Sequence, residues 1–355
     1  MPGAASMLKY LAKRITLLLG TLIIAIYITI VIANAGGFID EILSAQIKYD
    51  ITTNLARAQG WAQLPEEEKT RIINERFESA IKAKGLDRPF IERSFYYLID
   101  ALTLNLGRAL FITSASGSKR VADIILERLP LTVLLFTTGT VLYSIIGLLI
   151  GVYMTRRPGG LFDKIFSVFA IVTEVIPPWF FGILFIMIFA YYLRLTPFGG
   201  IVSVPPPQDP LGYFLDILYH LALPFFTWVF SLFGAWAYIA RNLMVQIAEE
   251  DYVVTAKAKG LSEGIIMRRH VLRPSLPPIV TSISFSLISS WQGAIITETV
   301  FNWPGLGSLY NQAISALDAP IIIGLVVVYA YLLVATVLVL DLTYRFMDPR
   351  IRGVA

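Results

Sequence analysis

Long apolar runs alternate with short polar breaks along most of this chain. Six runs are long enough to cross a bilayer, which takes about 20 residues of helix: Ile15–Ala33, Leu129–Met154, Ile165–Leu193, Ile217–Ala240, Leu276–Thr297 and Ile321–Tyr344. Prolines interrupt the third and fourth. Two stretches break the pattern. Residues 34–128 are polar enough to stand outside the bilayer. Within them Leu64-Pro65-Glu66-Glu67-Glu68 reads as a helix start, and Ile73, Phe77 and Ile81 fall on one face at helical spacing. Gly85 fits the stop, and a second helix is expected from Asp87-Arg88-Pro89 through Phe95, Leu98 and Leu102. This segment reads either as a spacer on the membrane face or as a landing pad for an outside partner. The other polar stretch, EDYVVTAKAKGLSEGIIMRRHVLRPSLPP from Glu250 to Pro278, lies between spans four and five.

Composition agrees with an integral membrane protein. Of 355 residues, 56% are hydrophobic and 15% charged, with mean hydropathy +0.69; soluble domains average about 25% charged. The basic residues set an orientation. Arg156, Arg157 and Lys164 follow span two; Arg241, Lys257, Lys259, Arg268, Arg269 and Arg273 follow span four; Arg345, Arg350 and Arg352 follow span six. The alternate loops carry Arg194 alone, or no basic residue in 298–320. The positive-inside rule therefore predicts both termini in the cytoplasm and residues 34–128 outside. Lys9, Lys13 and Arg14 before the first run resemble a signal peptide, but the run is long and no small-x-small cleavage site follows, so it reads as a retained span. The net charge of +4 expresses topology and gives no reason to expect nucleic acid. With no cysteine and only His220 and His270, cysteine-ligated and histidine-rich metal centres and thiolate catalysis are excluded. No G-x-x-x-x-G-K-[ST] is present, so no P-loop nucleotide site is expected.

The polar stretch after span four divides at Gly260. Tyr252, Val253, Ala256 and the stems of Lys257 and Lys259 suit a short amphipathic helix, with Glu249, Glu250 and Asp251 at its positive end. Gly260 permits a sharp reversal. Ser262 and Glu263 can open a second helix through Ile265, Ile266 and Met267 to Arg268, Arg269 and Arg273. Pro274, Pro277 and Pro278 are then expected to turn the chain back into the membrane, leaving a helix-turn-helix across the cytoplasmic face. A solvated positive loop resting on lipid headgroups and an element that docks into a partner's groove both fit these residues.

DYVVTAKAKGLS followed by RRHVLRPSLPP resembles the EAA loop of ABC-importer permeases, and more closely the B-type permease of dipeptide and oligopeptide importers. The resemblance continues in ETVFNWPGLGSLYNQAI at Glu298–Ile314, in DLTYRFMDPRIRG at Asp341–Gly353, in Glu127-Arg128-Leu129-Pro130 and in His220-Leu221-Ala222-Leu223-Pro224. It covers the first span and most of residues 120–353. Two features depart from it: Val254-Thr255-Ala256 replaces the usual Glu-Ala-Ala, and the segment 34–128 is longer than in typical members.

The resemblance implies an all-α, six-span type I importer fold, similar to the methionine importer, with a helical extracellular insertion between spans one and two. The expected divisions are residues 1–33, 34–128 and 129–353, the last including a coupling loop at 241–275. It implies a heterodimer with a second permease, two cytoplasmic ATPases carrying the ATP and magnesium, an extracytoplasmic binding protein, and no cofactor or catalysis in this chain. By the same carry-over Asp251, Tyr252, Ala256, Lys257, Lys259, Gly260 and Leu261 form or shape the ATPase-coupling element. Dipeptides and oligopeptides are the expected cargo; oligosaccharides and nickel complexes also occur among such importers.

Several residues are candidates for the pathway. Glu174 is a carboxylate at membrane depth, functional by default, though a bond to a neighbouring helix is the plainer reading. Pro178 follows Pro177 and should kink span three. Trp179, Trp228 and Trp236 could stack on cargo or anchor at the interface. Glu298, Trp303, Pro304 and Gly305 follow span five and should shape a loop near the outer gate, where a binding protein docks. Asp341 is expected to pair with Arg345. The rival class is an ion-coupled carrier, which would show several intramembrane carboxylates and inverted repeats.

Overall fold

Backbone hydrogen bonding inside an apolar medium leaves helices as the natural element, and helices build this chain. The computed structural model describes residues 4–34, 37–83 and 85–347, with side chains at the two ends described from 12 to 341. In chain order the helices are α1 (Ala4–Asn34), α2 (Phe38–Ala56), α3 (Glu66–Ala83), α4 (Phe90–Leu102), α5 (Val121–Arg156), α6 (Leu161–Val175), α7 (Pro178–Tyr192), α8 (Pro210–Ala248), α9 (Asp251–Ala258), α10 (Glu263–Ser290), α11 (Ile295–Val300), α12 (Leu306–Ser315) and α13 (Ala319–Met347). Five of them (α1, α5, α8, α10 and α13) are long and apolar enough to cross a membrane. The pair α6 and α7, bent by 94° at the Ile176-Pro177 break, supplies a sixth. Each of the six expected spans falls on one of these helices or on the bent pair. Arg345, Arg350 and Arg352 lie outside the described side chains, and so does the expected Asp341–Arg345 pair.

Several expected boundaries move, among them the start of span four, at Pro210 and not Ile217, and the end of span five, at Ser290 and not Thr297. Span two begins at Val121, not Leu129, because Pro130 is carried inside the helix just before a π-type turn at Val133–Thr137. Span four runs on to Ala248, so Arg241 lies in helix and not in the coupling loop. The largest change concerns Pro274, Pro277 and Pro278, which end no helix. α10 runs without a stop from Glu263 to Ser290, with a π-type turn at Ile266–Leu272 before the prolines. A π-type turn relaxes the hydrogen-bond ladder where proline would otherwise break it.

The described residues form two compact units, residues 13–125 with 313–334, and residues 126–312 with 4–12 and 335–347. In the second, α5 lies against α8 along a seam of glycines. A Cβ on Gly139 would stand 2.8 Å from the Trp228 ring, on Gly147 2.8 Å from the Phe233 carbonyl, and on Gly151 2.8 Å from the Ala237 carbonyl. Small residues four apart let two backbones approach closely, which drives helix association where lipid offers no hydrophobic gain. The pair Gly147 and Gly151 carries that spacing in the sequence. On the other side of α8, Phe230 meets phenylalanines 169, 181 and 185 of α6 and α7 edge to face, and Phe226 packs tilted on Phe185.

In the first unit the expected helices at 66–83 and 90–102 are present, and Gly85 at φ +66° ends α3. α2 is an additional helix. Leu22, Ile26 and Ile30 of α1, Ala101 of α4 and Val327 of α13 make a shared core. Asp318, fully buried, accepts the backbone N–H groups of Leu110, Phe111 and Ile112 at 3.1, 2.8 and 3.0 Å, which fixes the loop after α4 to the start of α13.

The seam makes a direct prediction. Gly151→Leu should destabilise the detergent-extracted protein by about 1–3 kcal/mol or prevent folding, because an added side chain meets backbone that cannot yield. Gly20→Leu, with nothing within 4 Å of its Cβ position, should leave the melting temperature near wild type.

Candidate functional site

The polar stretch after α8 is the strongest candidate. Glu250 leaves helical geometry at ψ 145°, and α9 begins at Asp251, whose acid sits in the first turn. One face of α9 turns inward: Val253 is fully buried and Ala256 is 4% exposed, packed with Met244 of α8 and Ile266, Met267 and Val271 of α10. Asp251, Tyr252, Lys257, Lys259, Gly260 and Leu261 are exposed. Ala256 is therefore an anchor of the element and not part of its contact surface. Exposed Tyr252, Val254, Leu261 and Ile265 put apolar area among the charges, the composition of a face that fits a groove.

Gly260 carries the reversal. Its φ is +75°, and its N–H donates to the Lys257 carbonyl at 2.9 Å. Any Cβ there meets open space, so glycine is required by the backbone angle and not by crowding. Ser262 then leaves helical geometry at ψ 148° and α10 starts at Glu263, as the sequence suggested, although the Ser262 hydroxyl makes no capping bond. The second half of the expected helix-turn-helix is thus the first turns of a membrane span. A short helix is fastened by its apolar face to the end of one span and the beginning of the next.

Arg241 in the last turns of α8 grips Asp163 in the first turn of α6, at 3.0 and 2.8 Å, and Asp163 also accepts the Gly159 N–H at 2.8 Å. This latch was not singled out from the sequence; an acid in a helix's first turn was the only available signal.

The segment after α10 forms a second cluster. Glu298, fully buried, accepts the Ser308 N–H at 2.6 Å and the Thr132 hydroxyl at 3.2 Å, and that hydroxyl accepts the Leu306 N–H at 2.7 Å. The carboxyl group thus gathers the first N–H groups of α12. Gly293, at φ +71°, and Gly305 leave room for it, since a Cβ at Gly293 would lie 2.6 Å from its oxygen. Trp303 is fully buried, and its ring N–H donates to the Leu131 carbonyl at 3.1 Å. Glu298, Trp303 and Gly305 therefore hold the loop from within. Pro304 and Glu298 border a polar pocket of about 280 Å³ lined also by Arg128, Asn302, Asn311 and Gln312. Thr132 gave no signal in the sequence.

The pathway candidates separate. Glu174 is exposed, in the last turn of α6 beside the bend. Pro178 is the first residue of α7 and Trp179 is half-buried next to it. Trp228 and Trp236 are corrected to packing residues of the α5–α8 seam. Trp236 is 4% exposed with its ring N–H on the Ser144 carbonyl at 2.8 Å, and Trp228 sits edge-on to Phe136 at 4.6 Å.

Comparison with known proteins adds to this geometry. Residues 147–353 match the family described as the binding-protein-dependent transport system inner membrane component. The inner membrane ABC transporter permease protein YejB of Escherichia coli O157:H7 is 30% identical over 364 residues, covering 96% of this chain and 98% of its own length. A putative peptide permease protein of Brucella suis biovar 1 is 34% identical over 277 residues, 77% of this chain and 83% of its own. The di/tripeptide transport system permease protein DppB of Pseudomonas aeruginosa is 30% identical over 296 residues, 79% and 87%. The long segment 34–128 is thus within the reach of the first of these alignments.

Glu298, outside the candidate spans, gives a pH prediction. Burial pushes its carboxyl up from 4.5 to about 7, against the pull of the Ser308, Thr132 and Gly307 donors and the Arg128 charge. A raised acid pKa stabilises the fold fully below the ordinary value, and that contribution is lost as pH rises to the folded value. Thermal stability should therefore fall between pH 4.5 and about 7 by on the order of 3 kcal/mol and then level off, and Glu298→Gln should lack this slope.

Proposed function

The chain belongs to the family of binding-protein-dependent transport system inner membrane components, multi-pass permease subunits of ABC transporters, and from that premise we propose that it forms half of a pathway for dipeptides and oligopeptides. A second, homologous permease supplies the other half. An extracytoplasmic binding protein delivers the cargo, and two cytoplasmic ATPases, which carry ATP and magnesium, drive its passage. The names of the relatives, a di/tripeptide permease and a peptide permease among them, support peptides over oligosaccharides. The family match disfavours an ion-coupled carrier.

The observation that carries the reading is α9. Its inner face, Val253 and Ala256, is fixed to α8 and α10, while Tyr252, Lys257, Lys259 and Leu261 face outward. A groove on an ATPase that closed around the outer face would move α9 as a rigid piece. Because α10 continues into the membrane without a break, displacement of α9 would tilt a span directly. This is a two-state element of the kind that converts a local event into a global one. The basic residues of the loops support a cytoplasmic position for it and for both termini. Glu174, exposed at the bend between α6 and α7, would face the pathway and meet the cargo's amino group.

Co-purification tests the assembly: the detergent-extracted chain should carry an ATPase whose activity rises with binding protein and peptide. Recovery of the chain with no ATPase would overturn the reading. Gly260→Pro tests the coupling. Proline fixes φ near −65° and removes the N–H bonded to Lys257, so the reversal cannot form. Peptide uptake should fall to background while the protein is still inserted in the membrane. Gly260→Ala, held in left-handed geometry at a cost of about 1–2 kcal/mol, should retain part of the uptake. Wild-type uptake by the proline variant would rule out the coupling role.

A further inference from the structure

Two contacts of α4 fall well inside the candidate spans of α1 and α13. Tyr27 stacks on Phe95 at 5.7 Å and its hydroxyl meets the Ser94 hydroxyl at 3.3 Å. Tyr27 is six residues short of the Ala33 end of the α1 span, about 9 Å along the helix. Farther along α4, the Leu102 carbonyl accepts the Tyr331 hydroxyl at 2.8 Å. Tyr331 is twelve residues into the α13 span from Ala319, about 18 Å along it. A hydrocarbon core is about 30 Å thick. α4 therefore descends with its C-terminal end deepest, and the chain afterwards returns to Asp318, at the head of α13, where residues 110–112 are held.

A helix end in water leaves its last carbonyls to solvent. Here all four find donors within the chain. Ile99 accepts from the Thr103 N–H at 2.9 Å, Asp100 from the Asn105 N–H at 2.8 Å, Ala101 from the Leu104 N–H at 3.1 Å, and Leu102 from Tyr331. Leu104 takes a φ of +56° to complete this turn. Such closure is what a backbone at membrane depth demands.

The side chains sort in the same way. Ile91, Phe95 and Ile99, four apart on one face, are 70, 54 and 58% exposed. At the same levels of α1 the exposed row is Ile24, Ile28 and Ile32. The charges are turned away from that face or tied: Arg93 grips Asp40 at 2.6 Å with its side chain 8% exposed, and Asp100 takes the Asn105 amide at 3.0 Å beside a pocket of about 230 Å³ shared with Arg108.

We propose that α4 is a re-entrant helix that dips into one leaflet and returns, presenting Ile91, Phe95 and Ile99 to lipid acyl chains. The segment 34–120 is then not wholly a cap outside the membrane; one of its helices is part of the transmembrane body. This depends only on α1 and α13 spanning the bilayer, and not on the cargo or the coupling role.

This chain has no cysteine, so a single cysteine placed at Ile91, Phe95 or Ile99 is its only thiol, and the same preparation without that cysteine gives the background labelling of the other subunits. The full chain, purified with the subunits that accompany it, would be labelled with an environment-sensitive fluorophore. It would then be placed in nanodiscs of phosphatidylethanolamine and phosphatidylglycerol. Glu75 of α3, 70% exposed, is the water-facing control. At Phe95 and Ile99, doxyl-labelled lipid should quench strongly. Iodide should quench on the order of tenfold less than at Glu75, because an ion is excluded from hydrocarbon. Iodide quenching equal to that at Glu75 would overturn the proposal in favour of a face in water. Protection from both quenchers would overturn it in favour of a protein partner on this face.

Discussion

A peptide group inside a bilayer has no water to bond with, and the arrangement of this chain follows from where those groups find partners. Helices satisfy most of them internally. The exceptions are where the structure becomes specific. Pro277 and Pro278 withhold two N–H groups in mid-helix, and α10 runs on through them after a π-type turn at Ile266–Leu272. Ser275, Thr281 and Ser282 turn their hydroxyls back onto carbonyls of the same helix, at 2.7, 2.8 and 3.0 Å. Trp236 and Trp303 spend their ring N–H groups on backbone carbonyls of α5. The buried carboxyl of Glu298 collects the free N–H groups at the head of α12. The same rule, applied at Leu102, is what separates a helix dipping into a leaflet from one resting in water.

The proposed coupling element depends on this continuity. A loop that ended at prolines and restarted would have a hinge between α9 and the span, and a push on α9 would be lost in the hinge. Because α10 is one helix from Glu263, the connection to α9 is confined to residues 259–262 with Gly260 at the reversal, and the buried contacts of Val253 and Ala256 with Met244, Ile266, Met267 and Val271 bridge it from inside. A left-handed glycine between two helices that are otherwise packed together sets the angle while adding little freedom. The Arg241–Asp163 latch braces the end of α8 against α6, so the element stands on a fixed base.

Apolar length and charge placement gave all six spans, and the glycine and acidic start gave α9, because those signals are local in sequence. The helices at 66–83 and 90–102 were legible for the same reason. What escaped was non-local. The prolines looked like stops because a sequence window cannot see the π-type turn that accommodates them. Trp228 and Trp236 looked like pathway residues because aromatic spacing does not say which neighbour faces them; glycines 139 and 147 on α5 decide it. α4 was legible as a helix, but its depth is set by Tyr27 and Tyr331, each more than sixty residues away in the chain.

Both recognisable motifs share one organisation. In ETVFNWPGLGSLY the residues that make the pattern, Glu298, Trp303 and Gly305, are turned inward, where a carboxyl group, an indole N–H and the absence of a Cβ fix one loop. In DYVVTAKAKGL the inward residues Val253 and Ala256, together with Gly260, set the posture of α9. The outward ones, Tyr252, Lys257, Lys259 and Leu261, are ordinary surface chemistry. A motif of this kind encodes a shape that can be gripped more than the contacts that grip it. That is why replacement of Glu-Ala-Ala by Val254-Thr255-Ala256 leaves the element intact: the exposed side chain at 254 changes, while the buried alanine at 256 and the glycine four residues later keep the geometry. Under the proposed coupling, the outward residues would set the contact with a partner and the inward ones the posture that makes any contact possible.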